Sequence, residues 1–323
     1  MAMTEENSRV GINIFGNKLR VVEAQKVNGT VNVVNVAESV LDIPLDFYAI
    51  GNQELIPQFA TAIKRLLDRY GVKAQRAYYG LERRMVILKK MSVDRTLSDE
   101  EVRQHVEWEL EQLLISARDE YNVGIDILEE TLPDFRNVIV VAVRKAIIHY
   151  LQEIFKHAPL NLSFIEVDIF SAIRGLYGSK KEKPVGLSAL IDINDRGIDF
   201  TLIENDHYAS SSELPVFQTS GKSLSYLNGS AGEIATVLND ELVRLIDSLS
   251  YPVLDNKITA IYLTGDRAET AIIPALQSLL GPAKIAFANP FQAVQQQVGL
   301  DSGALAEKES QKFLVSVGLT MME

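Results

Sequence analysis

The chain contains no cysteine. That removes a disulfide framework, a thiolate-ligated metal and a cysteine nucleophile together, and it fits a reducing compartment. It has one tryptophan and four histidines, His105, His149, His157 and His207. None of the histidines has H-E-x-x-H or similar ligand spacing, so surface and helix-end positions account for them. No G-x-S-x-G elbow occurs, and no Ser/His/Asp set is legible. Long apolar runs are missing too. The longest purely aliphatic stretch, Val138–Val143, has six residues, against about 20 needed to span a bilayer. The first ten residues, MAMTEENSRV, are polar and acidic without an apolar core, unlike a secretory signal. A basic excess is also absent. The formal net charge is −11, which disfavours nucleic acid, whose phosphates require a concentrated basic face. These absences predict a cytoplasmic protein that does not insert into a membrane directly.

What is present is an ordinary globular composition, 47% apolar and 23% charged over 323 residues, enough for two or three domains. The chain is organised around Val10–Gln25, VGINIFGNKLRVVEAQ, which reads as strand, tight turn at Gly16 and strand. Leu187–Glu204 repeats that plan, with Asp192, Asn194, Asp195 and Gly197 at its tip. Two such hairpins, each opening about half of the chain, predict a duplicated α/β domain with a cleft between the halves.

In order, the pattern predicts a third strand at Val31–Val40 and a helix at Glu54–Tyr70, with a stripe of Ile56, Phe59, Ile63, Leu66, Leu67 and Tyr70. Gly71 stands where a left-handed residue ends it. Residues 74–145 read as an insertion. It holds strands Arg76–Leu81 and Met85–Val93, a helix begun by the Ser98/Glu101 capping box, and strands Tyr121–Thr131 and Asn137–Val143. Helix Ala146–His157, strand Ser163–Asp168 and a short helix Phe170–Tyr177 follow, before the charged linker Lys180–Pro184. The second half predicts helix Ile234–Leu249, strand Ile258–Thr264, helix Thr270–Leu280, strand Lys284–Phe287 and a last helix Ser310–Met322.

Ser98–Leu114, SDEEVRQHVEWELEQLL, carries the most specific signature, Gln104-His105-Val106-Glu107-Trp108-Glu109. With Val21-Val22-Glu23, Ala142-Val143-Arg144-Lys145, Phe170-Ser171-Ala172, Ala288-Asn289-Pro290-Phe291 and Val317-Gly318-Leu319 in that order, it resembles type IV pilus assembly proteins of the PilM type. These belong to the actin and sugar-kinase superfamily and are close in build to FtsA. The resemblance implies duplicated actin-like (ribonuclease H-like) domains. Residues 1–73 and 146–184 would form the first (1A), 74–145 the inserted α+β subdomain 1C, and 185–323 the second (2A). It also implies ATP and Mg²⁺ between the halves, and a groove beside 1C for the cytoplasmic N-terminal tail of an inner-membrane pilus partner. Association with the inner membrane would then be peripheral, through that partner.

Set against that family, the nucleotide motifs are degenerate. A phosphate-binding tip needs close backbone approach and an acid for the Mg²⁺ shell. The family's Asp-Ile-Gly-Ser is Asn13-Ile14-Phe15-Gly16 here, with Arg20 at the lysine-like position. The second tip keeps Asp192 but has Asn194 for glycine. Its threonine position falls near Ile198-Asp199. The adenosine-contacting turn after Thr264 is Gly265-Asp266, where a carboxylate would repel nucleotide. Only sixteen residues separate Pro215 from Gly232, so subdomain 2B would be reduced or missing. ATP and Mg²⁺ are therefore disfavoured, and a pseudo-ATPase scaffold is the predicted role. A retained ATP switch and an FtsA-like, self-associating filament former are the alternatives.

Two imitations are set aside. Gly221-Lys222-Ser223 lacks the first glycine and the strand-to-helix context of a P-loop. Asp192-Ile193-Asn194-Asp195-Arg196-Gly197 lacks the glutamate that ends an EF-hand loop. For the partner, the 1C strand positions Met85, Ile87, Ile125 and Ile127 are candidates to hold an extended tail by strand addition. Trp108 lies off the helix stripe Val102, Val106, Leu110, Leu113 and Leu114. Either it packs between 1C and the first domain, or it borders the partner groove.

Overall fold

A computed structural model describes residues 8–128, 134–178, 185–215, 218–219, 222–223, 228–249, 258–292, 294–296 and 309–322. The chain divides into two compact units, Met1–Ser171 with Val294–Ala304 and Val315–Glu323, and Ala172–Ala293 with Leu305–Leu314.

The first unit is built on β1 (Ser8–Phe15), β2 (Lys18–Val27) and β3 (Thr30–Val40), an antiparallel meander. The β1–β2 turn is two residues long, Phe15 pairs with Lys18, and Gly16 takes φ 58°, a region that favours glycine. A four-residue helix α1 (Phe47–Ile50) leads to α2 (Ile56–Tyr70). The expected start at Glu54 is instead a 3₁₀ turn, Gln53–Leu55, capped by the Asn52 side chain. The α-helix begins beside Pro57, whose missing N–H costs nothing in a first turn. Gly71 ends it at φ 65°.

Strand β4 (Arg76–Leu81) runs parallel to β1. Here the structure corrects the insertion boundary. β4 belongs to the large sheet, so the inserted layer begins beyond it and not at residue 74. A six-residue apolar strand does not announce by its periodicity which sheet it will join.

The inserted layer comprises β5 (Val86–Asp94), α3 (Asp99–Glu111), β6 (Tyr121–Ile127) and β7 (Phe135–Arg144), with antiparallel sheet order β5-β7-β6. Ser98 and Glu101 cap α3 reciprocally. Its stripe Val102, Val106 and Leu110 is buried on Met91, Val93, Val138, Val140 and Ala142. The chain then returns through α4 (Lys145–His157), β8 (Asn161–Val167, parallel to β4) and α5 (Asp168–Tyr177).

Ile12, Ile14, Ile63, Tyr79, Ile147, Leu151 and Ile154 form the centre of the first unit's core. On β1 and β4, Gly11 and Gly80 meet the C-terminal helix, Leu314–Thr320. A Cβ on Gly11 would lie 2.1 Å from the Ser316 carbonyl oxygen, and one on Gly80 would lie 2.7 Å from Val315 Cγ1. Only a bare backbone lets that helix lie so close.

The second unit repeats the layout. β9 (Leu187–Asn194), β10 (Gly197–Glu204) and β11 (His207–Pro215) form a meander, and β12 (Ile258–Thr264) and β13 (Lys284–Phe287) extend the sheet in parallel. Helices α6 (Ala231–Asp247) and α7 (Ile272–Leu280) bury Leu238, Leu242, Leu276 and Ile272 against Ile191, Phe200 and Ile261. α6 starts three residues before the expected Ile234, because Ser230 and Glu233 form a second capping box. The linker Lys180–Pro184 lies outside the described residues, as does Gly221. Between Pro215 and Ala231 the described residues contain only the two-residue strands Gln218–Thr219 and Lys222–Ser223. Among the described residues no helix is long and apolar enough to cross a membrane.

Candidate functional site

The first hairpin tip is held by the segment that follows β3. Leu45 N donates to the Gly16 carbonyl at 2.9 Å, and Leu41 N to that of Asn17 at 2.7 Å. Asn13, in the position of the expected acid, is 4% exposed, and its Nδ2 donates to the Gly80 carbonyl at 3.2 Å. Arg20 is 5% exposed, and its Nε donates to Glu38 Oε2 at 2.6 Å. The β2–β3 register brings these two side chains together, since Arg20 and Glu38 are paired residues. A charge-assisted bond of this length neutralises the Arg20 guanidinium. The sequence reading named Arg20 and missed Glu38.

The second tip is equally occupied by its own side chains. Asn194 Nδ2 lies 3.4 Å from both Asp192 Oδ1 and Asp199 Oδ2, while its Oδ1 accepts from Arg196 N at 2.9 Å. Asp192 pairs in register with Thr264, whose hydroxyl donates to the Gln311 carbonyl at 2.7 Å. Gly265 follows with φ 97°. A Cβ there would fall 2.2 Å from the Ile193 carbonyl oxygen and 2.4 Å from Asp192 Oδ1, so the turn sits directly on the tip. Asp266, expected to face a nucleotide as a repelling carboxylate, pairs with Lys312 at 3.6 Å, and Lys312 also holds Glu309 at 2.9 Å. Lys312 escaped the sequence reading because it arrives from the far end of the chain. Among the described residues no group of three or more His, Cys, Asp or Glu side chains is placed to hold a metal ion.

On the inserted layer, β5 and β6 are the two sheet edges. Ile87, Ile125 and Ile127 lie on them, partly buried against the layer's core. Met85 does not. It is 7% exposed, in a 3₁₀ turn before β5, and belongs to the core of the first unit. Its side chain is therefore unavailable to a partner tail.

Trp108 is 59% exposed, its ring 6.4 Å from that of His105. The inward-packing alternative fails on geometry. At 100° per residue Trp108 lies about 160° from Val106 and Leu110, which take the buried side. Beside it on α3, Glu109 bonds Lys89 at 3.0 Å, and that bond holds its carboxyl below the usual carboxylate range.

A family model described as type IV pilus assembly protein PilM matches residues 11–213. No curated protein matches the chain significantly. Among solved structures, a PilM-PilN type IV pilus biogenesis complex superposes with a TM-score of 0.74 at 21% identity, covering 97% of both chains. A Bacteroides thetaiotaomicron protein with an actin-like ATPase fold and unknown function superposes with a TM-score of 0.51 at 13% identity, covering 95% of this chain and 100% of the other. At these identities the likeness establishes an actin-like fold.

Proposed function

The chain belongs to the type IV pilus assembly protein PilM family, and from that premise we propose that it is a cytoplasmic actin-like adaptor without ATPase activity. It grips the cytoplasmic tail of an inner-membrane pilus assembly protein and is peripheral to that membrane through the grip. The solved neighbour in complex with PilN supports a partner of this kind. The exposed edges β5 and β6 supply a means, since an extended tail can add to a sheet edge through main-chain hydrogen bonds. In β6, Asn122, Gly124 and Asp126 are exposed.

One observation supports the loss of nucleotide chemistry most strongly. The polar groups that would receive Mg-ATP are engaged within the chain itself. Arg20 is held by Glu38, Asn13 by Gly80, and Asp266 by Lys312. These residues do not fit Mg-ATP. Drawing Arg20 out to a phosphate would break its bond to the partly buried Glu38 carboxylate.

The reading is tested by calorimetric titration of the purified protein with a partner-tail peptide and, separately, with Mg-ATP. Saturable peptide binding with no heat from Mg-ATP is expected. Absence of peptide binding at high micromolar concentration would sink the adaptor. A second reading, a nucleotide switch, is favoured by the retained Asp192 beneath Gly265. It requires Mg-ATP binding that disappears in Asp192→Ala.

A further inference from the structure

The outward face of α3 combines two features that the tail-binding reading leaves unused. The first is apolar exposure. Trp108 is 59% exposed and Ile115, just past the helix end, is 86% exposed. Exposed tryptophan is the side chain most enriched among binding hot spots. The second is charge. Residues 99–120 hold eight carboxylates against two arginines, Arg103 and Arg118. Three of those carboxylates are engaged in an ion pair or the helix cap, Asp99 with Arg136, Glu101 in the capping box and Glu109 with Lys89. Glu100, Glu107 and Glu111 are exposed on the solvent side of the helix. Gln104, one turn before Trp108, is bonded to Glu100 at 3.2 Å.

An exposed aromatic ring on a helix with an excess of carboxylates selects its occupant by sign. Anionic lipid and nucleic acid are repelled. A second copy meeting this face two-fold would set glutamates against glutamates. A cationic segment is attracted, and its guanidinium or ammonium groups can also lie over the indole face. We propose that the Trp108 face of α3 is a docking site for a basic, apolar segment of a partner protein. Cytoplasmic segments beside a membrane helix have this chemistry, because they carry the lysine and arginine excess that orients the helix. The face consists of α3 side chains, whereas the tail is held by the main chain of the β5 and β6 edges, so this inference and the adaptor reading can fail independently.

Trp108 is the chain's single tryptophan, so fluorescence excited beyond the tyrosine absorption band reports this face and no other. In the free protein, emission of a solvated indole and ready quenching by acrylamide are expected. The probe is a short synthetic peptide alternating arginine with leucine and tyrosine, titrated into the full chain. The comparators are the same peptide with glutamate for arginine, and vesicles rich in phosphatidylglycerol. The basic peptide should shift the emission to the blue and protect it from quenching, while both comparators leave it unchanged. Binding should weaken about tenfold between about 50 and about 500 mM salt.

By calorimetry, Trp108→Ala should lose about tenfold or more in affinity and Trp108→Phe much less. The combined Glu100→Gln, Glu107→Gln and Glu111→Gln variant should lose about tenfold. All of these positions are exposed, and a far-UV circular dichroism spectrum checks that the variants fold. A blue, protected emission in the free protein would overturn the proposal. So would peptide binding that leaves Trp108 unmoved, equal binding by the variants, or a shift produced by the anionic vesicles.

Discussion

Arg20 and Glu38 make a quantitative test of the claim that the first hairpin tip is internally neutralised. Their side chains are 6% and 22% exposed, and the contact is a 2.6 Å charge-assisted hydrogen bond. Replacing Glu38 with leucine takes a hydrogen-bonded carboxylate away from a buried guanidinium. Replacing Arg20 with leucine leaves a less deeply buried carboxylate. Each single change should destabilise the first unit by about 3 kcal/mol, the first somewhat more than the second. The double variant Arg20→Leu/Glu38→Leu removes both desolvation penalties together and should lie within about 1 kcal/mol of the parent. The cycle therefore predicts a coupling energy of several kcal/mol. A chain of two units does not unfold in one step, so the readout is native-state hydrogen exchange of the β2 and β3 amides rather than a global midpoint. Additive single effects, with coupling below about 0.5 kcal/mol, would refute the reasoning. They would show that Glu38 does not hold Arg20 in place.

Three further outcomes follow from named contacts. Gly265→Ala places a methyl group against the Ile193 carbonyl and Asp192 at a φ of 97°, and should cost about 3 kcal/mol or more; a variant with the parent's thermal stability would show that the turn can move aside. Ser98→Ala removes the hydroxyl half of the α3 capping box and should cost about 1 kcal/mol, read by exchange of the α3 amides. Burial, reinforced by Glu82 and Asp168, pushes the Tyr79 hydroxyl far above the ordinary tyrosine value. Its neutral form is favoured in the fold, so its contribution is intact below the unfolded value of about 10 and is lost as pH rises beyond it. Alkaline unfolding monitored by circular dichroism should accordingly be less steep for Tyr79→Phe, and an unchanged profile would remove Tyr79 as its cause.

The two hairpins were legible because their signals are local. Gly16 and the polar tip between aliphatic runs specify a two-residue turn, and Asp195-Arg196 before Gly197 does the same. The Ser98/Glu101 box and the α3 stripe were equally plain, since a helix face is written at a spacing of three and four residues. The second capping box, Ser230 with Glu233, carried the same signal and was overlooked, which displaced the start of α6.

Residue chemistry and short-range periodicity thus determined that this chain is a twice-repeated α/β protein with an inserted layer. Tertiary structure alone decided how the remaining groups are used. Arg20 met Glu38 through strand register, at a separation of 18 residues. Asp266 met Lys312, and Thr264 met the Gln311 carbonyl 47 residues away, because the chain's last segment returns to the second unit. Met85 entered the main core and β4 the main sheet, while Trp108 remained in water. Periodicity reports which side of an element is apolar. Which partner covers that side, and which distant charge neutralises a buried one, is set by register and packing between segments whose spacing in sequence carries no signal.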